Sequence, residues 1–110
     1  MKLPNGDRAF VDIVKLRDYC LNDDHPRGKH KAKVFRSALG LTMEHADELR
    51  VALVDAARII DVLSGLADEF GQRYVLDFIF VGPTGQALVR STWIIRKGED
   101  YPRLTSCYVR

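Results

Sequence analysis

The sequence has few cysteines and histidines that could bind a metal, and it has no long apolar stretch. Its 110 residues include two cysteines, Cys20 and Cys107, which lack the paired spacing of a zinc site and form no ligand cluster with the three histidines. No stretch approaches the roughly 18 apolar residues of a membrane helix, and no apolar signal-peptide region follows the polar start. We therefore expect no metal, no cofactor, no membrane association, a cytoplasmic location and reduced cysteines.

Acidic residues are absent from residues 25–36, which hold five of the 17 lysines and arginines and two of the three histidines. This basic stretch begins as a Pro/Gly turn and continues as a predicted helix, so cations and imidazoles lie at a helix N-terminus, where phosphate binds well. A solvated helix face is the alternative interpretation. Residues 37–72, in contrast, carry seven acids against two arginines, and the net charge of +2 does not by itself indicate a nucleic-acid-binding protein.

The length and the 46% hydrophobic content predict one globular domain, residues 1–110. Apolar residues spaced three or four apart predict helices, and alternation with a period of two then predicts strands. The predicted helices span 12–21, 30–39 and 42–60, with Asp12 and Thr42 as N-caps and Gly40 after the second helix. The predicted strands span 73–80, 87–96 and 103–109.

Short connections between these strands require antiparallel pairing. Residues 62–71 are interpreted as a connection with mixed signals, and Phe10–Val11 as a fourth strand at an edge. The predicted fold class is α+β, with about three N-terminal helices followed by a three- to four-stranded antiparallel sheet.

Several motifs resemble a bacterial family catalogued as domain of unknown function 6883. The motifs are Asp18-Tyr19-Cys20-Leu21-Asn22, His25-Pro26-x-Gly28-x-x-Lys31-Ala32-x-x-Phe35, Leu39-Gly40, and Trp93 followed by Pro102-Arg103-Leu104-Thr105. Similar domains are small free-standing proteins or C-terminal ends of large secreted toxins. The resemblance implies the metal-independent ribonuclease fold shared by barnase, colicin-type tRNases and RelE-like toxins, with the active site on the open face of the sheet.

The resemblance also implies a function: a ribonuclease toxin that cleaves tRNA or mRNA and is inhibited by a small cognate antitoxin. Cleavage without a metal needs a base, an acid and cations that stabilise charge on phosphorus. His25 or His30 could supply the base or the acid. Lys31 and Arg103 could neutralise the phosphate, and Thr105 could hydrogen-bond to one of its oxygens.

Further residues are candidates for holding the RNA. Arg27, Lys29 and Arg90 supply positive charge, and Trp93 or Tyr108 could stack on a base. Strict alternation along 103–109 would place Arg103, Thr105 and Cys107 on one face of the strand. Tyr108 would then point away from them unless a bulge intervenes.

Each candidate also has a purely structural interpretation. His25 could cap a backbone group in its loop, His30 and Lys29 could be solvated, Trp93 could be a core residue, and Arg103 could be an edge charge. The alternative function is a non-catalytic interaction module that binds nucleic acid or an acidic partner with residues 25–36. If the second face of the sheet is apolar, an antitoxin or a second copy of the chain could cover it.

Overall fold

Three helices precede a four-stranded antiparallel sheet in the computed structural model, which describes all 110 residues. Helix α1 covers Ile13–Lys15 and continues as a single π turn, Leu16–Cys20. Helix α2 covers Lys29–Leu39, and helix α3 covers Ala46–Ile59. The strands are β1 (Leu63–Asp68), β2 (Gly71–Gly82), β3 (Gly85–Arg96) and β4 (Arg103–Val109), in the order β1-β2-β3-β4. This arrangement confirms the predicted α+β class.

The helix ends follow the local chemistry that the sequence indicates. The Asp12 side chain accepts a hydrogen bond from the Val14 N–H at 3.0 Å, and Gly40 ends α2 with a φ of 71°. Thr42 caps the short 3-10 turn that leads into α3. The N–H of Thr42 donates in return to Nδ1 of His45 at 2.9 Å. All three predicted caps are confirmed.

The helices cover one face of the sheet, and the large buried side chains of β2 alternate onto that face. Tyr74, Leu76, Phe78 and Phe80 are buried in β2, and Trp93 is wholly buried in β3. They pack with apolar residues of α2 and α3 in one core of 22 buried residues. The opposite face, called here the open face, carries Asp77, Arg90 and other half-exposed residues.

The fourth strand is β1, so the prediction of an edge strand at Phe10–Val11 is wrong. Phe10 makes an isolated parallel bridge to Arg103. Strand β1 lies within the stretch that the sequence predicts as a connection. Five of its six residues are exposed, so its side chains need no alternation of apolar and polar residues. Gly65 weakens the signal further.

Strand β4 contains a bulge at Thr105, and the predicted grouping of Arg103, Thr105 and Cys107 on one face is therefore wrong. Thr92 pairs with Ser106 and Trp93 pairs with Leu104, which leaves Thr105 as the extra residue. Leu104 and Cys107 are both buried in the core. Arg103, Ser106 and Tyr108 consequently share the open face, opposite Ile94, Thr92 and Arg90 of β3.

Both cysteines are free thiols buried in the core. A hydrogen bond with Cys20 and complete burial raise the pKa of the Cys107 thiol, so it stays protonated. None of the helices combines the length and the apolar composition that a membrane crossing requires.

Candidate functional site

A cleft of about 620 Å³ lies between α1, the loop before α2 and strand β4. It is called here the His25 cleft. Five of its residues come from α1, its N-cap and its π turn, and two adjacent ones come from the β4 bulge. The full lining is Asp12, Val14, Lys15, Asp18, Tyr19, His25, Lys31, Thr105 and Ser106. Three predicted site residues, His25, Lys31 and Thr105, are thus brought together.

The loop that carries His25 packs tightly against α1. The backbone of Gly28 lies so close to Tyr19 that a Cβ atom at this position would collide with the Tyr19 carbonyl oxygen. This approach allows the His25 ring to meet the edge of the Tyr19 ring, with 4.6 Å between the ring centroids. Gly28 is therefore needed for the close packing that forms one wall of the cleft.

The His25 ring is anchored through one nitrogen. Its Nδ1 accepts hydrogen bonds from the backbone N–H groups of Arg27 and Gly28, at 3.0 and 3.1 Å. Because Nδ1 must be unprotonated to accept both bonds, the ring proton lies on Nε2. His25 caps its loop, as its structural interpretation expects, and it keeps one N–H donor for a ligand.

Two lysine side chains reach the cleft from different helices. The Lys15 ammonium donates to the backbone carbonyl of Thr105 at 3.1 Å. The Lys31 ammonium lies 4.9 Å from the centroid of the Tyr108 ring, a cation–π contact at the border of the open face. Neither ammonium has a carboxylate partner within 4.0 Å, so both charges are available to an anion.

Two carboxylates line the same cleft. Asp18 is held by Arg17 at 2.8 Å, and this hydrogen bond lowers the pKa of the Asp18 carboxyl. Asp12 uses one oxygen for the cap of α1 and makes no hydrogen bond with the other. Asp12 is therefore the lining carboxylate with a free oxygen that can accept a proton.

Arg103 lies outside the His25 cleft, in an adjoining cleft of about 130 Å³ that shares Asp12, Lys15 and Thr105 with it. Glu99 accepts two hydrogen bonds from its guanidinium, at 3.0 and 2.9 Å, and Tyr101 accepts a third. These contacts raise the pKa of Arg103 and lower that of Glu99. Glu99 and Tyr101 thus occupy Nε and Nη2 of Arg103, and Nη1 is the group left to donate to a phosphate.

The remaining predicted residues lie elsewhere. Arg27, Lys29 and His30 are exposed and do not line the cleft. Arg90 lies on the open face, where it binds Asp77 through two hydrogen bonds of 2.8 and 3.0 Å. Tyr108 is its neighbour across the strand pair and, through the bulge, faces the same side as Arg103.

Trp93 cannot serve as a stacking platform, and this prediction is wrong. Its side chain is wholly buried, and its Nε1–H donates to the Ser91 hydroxyl at 2.9 Å, which in turn donates to the Leu76 carbonyl. Both polar groups are satisfied inside the core, which is the structural interpretation of this residue.

Sequence reasoning missed the contribution of α1 to the cleft. Asp12, Lys15 and Asp18 recur every three residues, with Tyr19 beside Asp18, which places all four along one helical face. That polar face was a usable signal, although the helix alone does not show which strand it meets. The structure brings no group of three or more His, Cys, Asp or Glu side chains together in a way that could hold a metal ion.

Comparisons with known proteins agree with this fold. The family model described as "Domain of unknown function (DUF6883)" matches residues 2–110, which confirms the resemblance of the motifs. A solved chain from a "Contact-dependent growth inhibition toxin - immunity protein complex from Klebsiella pneumoniae 342" is 16% identical, with a TM-score of 0.70. The alignment covers 91% of this chain and 98% of that chain, and at this identity it shows a shared fold. No curated protein matches the chain.

Proposed function

We propose that this chain, which belongs to the family described as domain of unknown function (DUF6883), is a metal-independent ribonuclease toxin that acts on RNA in the cytoplasm. The observation that carries the proposal is the meeting of His25, Lys15, Lys31 and Thr105 in one cleft. The proposed architecture is the ribonuclease fold of barnase, colicin-type tRNases and RelE-like toxins. The shared fold with a chain of a toxin–immunity protein complex supports a toxin role and a small inhibitory partner.

The cleft offers the groups that RNA cleavage requires. In this reaction the 2′ oxygen forms a bond to phosphorus and the bond from phosphorus to the 5′ oxygen breaks, leaving a cyclic phosphate and a 5′ hydroxyl. The free oxygen of Asp12 would take the 2′ proton, and the Lys31 ammonium would protonate the leaving 5′ oxygen. Lys15 and the Nε2–H of His25 would hold the phosphate oxygens as negative charge develops.

This assignment gives His25 a different role from the one that its residue type suggests. Because Nδ1 accepts the backbone bonds of Arg27 and Gly28, the ring proton is on Nε2. Nε2 therefore has no lone pair that could accept a proton, and loss of its own proton would leave an imidazolate anion. His25 is therefore proposed to bind phosphate as a hydrogen-bond donor. His30, which is exposed and outside the cleft, has no part in this scheme.

Thr105, Ser106 and Tyr108 would complete the binding surface for RNA. The two hydroxyl groups lie at the bulge, and Tyr108 on the open face has a half-exposed ring that a base could stack against. Arg90, beside Tyr108, and Arg103, in the adjoining cleft, would extend the positive surface along β3 and β4. Arg27 and Lys29 are exposed at the α2 end of the same region.

The alternative function, a non-catalytic module that binds RNA or an acidic partner, is favoured by one observation. The imidazole of His25 is fully explained as a loop cap, which leaves the cleft without a histidine base. This function requires only the basic residues, and it predicts binding without cleavage.

Induced expression in bacteria tests the toxin proposal. We compare the parent with His25→Asn, whose side-chain oxygen keeps the cap but lacks Nε2, and with Lys31→Gln. Matched controls are Lys33→Gln and His30→Asn, which are exposed on α2 outside the cleft. The parent and both controls should arrest growth and produce discrete new RNA ends, and the two cleft variants should do neither at equal abundance.

Purified protein separates the two functions. Cleavage of RNA by the parent should persist in a metal chelator and fall by at least about tenfold in each cleft variant, since each removes a group that stabilises the transition state. Normal growth at high abundance of the parent, with no cleavage in vitro, would contradict the ribonuclease proposal. Retained RNA binding would then favour the interaction module.

A further inference from the structure

Half of strand β2 has a neighbour on one side only. Strand β1 pairs with β2 from Gly71 to Val75, and Leu63 forms the last pair. The chain before Leu63 leaves the sheet, and Asp61 bridges to Lys2 instead. The stretch from Leu76 to Gly82 is paired with β3 alone. The position for a neighbouring strand on its other side, called here the lane, is therefore vacant.

The direction of the backbone groups along this stretch follows from the pairing. The N–H of Arg110 donates to the carbonyl of Leu88 at 2.9 Å, so even-numbered residues of β3 point their backbone groups towards β4. The backbone groups of the odd-numbered β3 residues point towards β2, where they pair with those of Leu76, Phe78 and Phe80. The backbone N–H and C=O groups of the intervening Asp77, Ile79 and Val81 therefore point into the vacant lane.

No residue of the chain satisfies these groups. Neither the backbone bonds outside the regular elements nor the side-chain hydrogen bonds include the N–H or C=O of Asp77, Ile79 or Val81. Edge strands are usually protected by lysine, proline or a covering segment. Here the edge carries two exposed apolar side chains, with Ile79 59% and Val81 73% exposed.

A groove of about 720 Å³ runs along this edge between β2 and α3. Nine of its ten lining residues are apolar. Helix α3 contributes the small side chains of Ala52 and Ala56 and the exposed side chain of Ile59, followed by Ile60. An apolar groove beside unpaired backbone groups fits an extended chain with apolar side chains, which is the arrangement of strand addition.

We propose that a second copy of this chain fills the lane, so that two β2 strands pair antiparallel about a two-fold axis at Ile79. The unpaired stretch is centred on Ile79, which would face itself, and Asp77 would face Val81. Asp77 is the one charged residue of the groove, and Arg90 and Arg110 already bind its carboxylate. No charge repulsion therefore opposes the pairing.

The length of the lane also matches that of its occupant. The lane extends from Leu63, where β1 begins, to the turn at Pro83, and the same seven residues, 76–82, would enter from the partner. The two four-stranded sheets would then form one continuous sheet. Strand β4 lies at the far edge of each sheet, so both His25 clefts stay open. The proposal does not depend on the ribonuclease activity.

The test measures the mass of the full chain by light scattering over a range of concentrations, together with amide hydrogen exchange. The parent should reach twice the monomer mass, and the amides of Asp77, Ile79 and Val81 should exchange more slowly as concentration rises. Ile79→Lys should halve the mass and restore fast exchange at these amides. Leu66→Lys, on the β1 edge, and Val51→Lys, on an exposed face of α3, should both remain dimeric.

Three results would overturn the proposal. These are a monomer at every concentration, a dimer that Leu66→Lys dissociates and Ile79→Lys does not, and fast exchange of the three amides in a dimeric parent. Circular dichroism verifies that each variant is folded. If Ile79→Lys does not fold, amide exchange of the parent at two concentrations still tests the proposal, because this measurement needs no substitution.

Discussion

At the scale of single residues, Asp77 is the acid that binds two arginine side chains. Arg90 binds it at 2.8 Å and Arg110 at 3.2 Å, and all three lie on or beside the open face. The hydrogen bond with Arg90 lowers the pKa of the Asp77 carboxyl below its ordinary value. Folding therefore favours the ionised carboxylate, and stability is linked to pH at this residue.

Asp77→Asn should lower the free energy of unfolding at neutral pH by about 1 kcal/mol, because the side chain is partly buried and bound to two arginines. In the parent this contribution is complete above the unfolded pKa of about 3.9 and is lost as pH falls through the lower folded pKa. The variant should therefore lose less stability than the parent between about pH 5 and pH 2.

Urea denaturation at several pH values measures this difference. Asp24→Asn is the matched control, since Asp24 is exposed and its carboxylate makes no ion pair. Equal acid sensitivity of the parent and Asp77→Asn would show that the arginine contacts contribute nothing to stability.

At the scale of elements, the bulge of β4 decides which side chains reach the cleft. Thr105 is the inserted residue, and its side chain and that of Thr92 form a hydrogen bond of 2.6 Å. Its carbonyl accepts the bond from Lys15. A strand without the bulge would still place Leu104 and Cys107 in the core, because deletion of Thr105 makes the register regular.

A variant that lacks Thr105 should consequently fold. Its free energy of unfolding should be only about 1–2 kcal/mol lower than that of the parent, which is the cost of the lost hydrogen bonds. The matched control is a deletion of Cys107, which also makes the strand regular but puts the Ser106 hydroxyl at a buried core position. Urea denaturation should show a clearly larger loss for the control. If the Thr105 deletion is the less stable of the two, the bulge is part of the fold itself.

The sequence predicts the elements that carry a clear period and fails where the period is absent. Helices α2 and α3 and strands β2, β3 and β4 all appear close to their predicted bounds. Strand β1 is held by backbone pairing to β2 while its side chains stay exposed, so its composition carries no signal. The sequence of β4 likewise does not predict the bulge at Thr105, because the bulge depends on which residues of β3 pair with this strand.

The candidate site was predictable only where its residues belong to sequence motifs. His25, Lys31 and Thr105 were identified from the motifs, whereas Lys15 and Asp12 enter the cleft through the packing of α1 against β4. The sequence allows Trp93 to be a stacking platform or a core residue, because it does not show whether an aromatic side chain in a strand faces the core or solvent. Its contact with Ser91, which settles the matter, requires the tertiary structure.

At the scale of the whole molecule, charge and apolar surface are separated between the two edges of the sheet. The His25 cleft, whose two ammonium groups have no carboxylate partner, lies at the β4 edge, and the apolar groove lies along β2. Helix α3 carries acidic residues, whereas α2 exposes several basic ones. A weakly positive net charge of +2 thus hides a strongly uneven surface.

The salt dependence of RNA binding distinguishes a localised site from a broad basic surface. A cleft-bound RNA should release counterions at Lys15 and Lys31. With a 2′-O-methylated single strand, which cannot be cleaved, Lys31→Gln should therefore reduce the slope of log affinity against log salt by about 0.7. Lys33→Gln, exposed on α2 and outside the cleft, should leave the slope unchanged. Equal losses for both variants would show that RNA binds along the whole basic face of α2, as the interaction module requires.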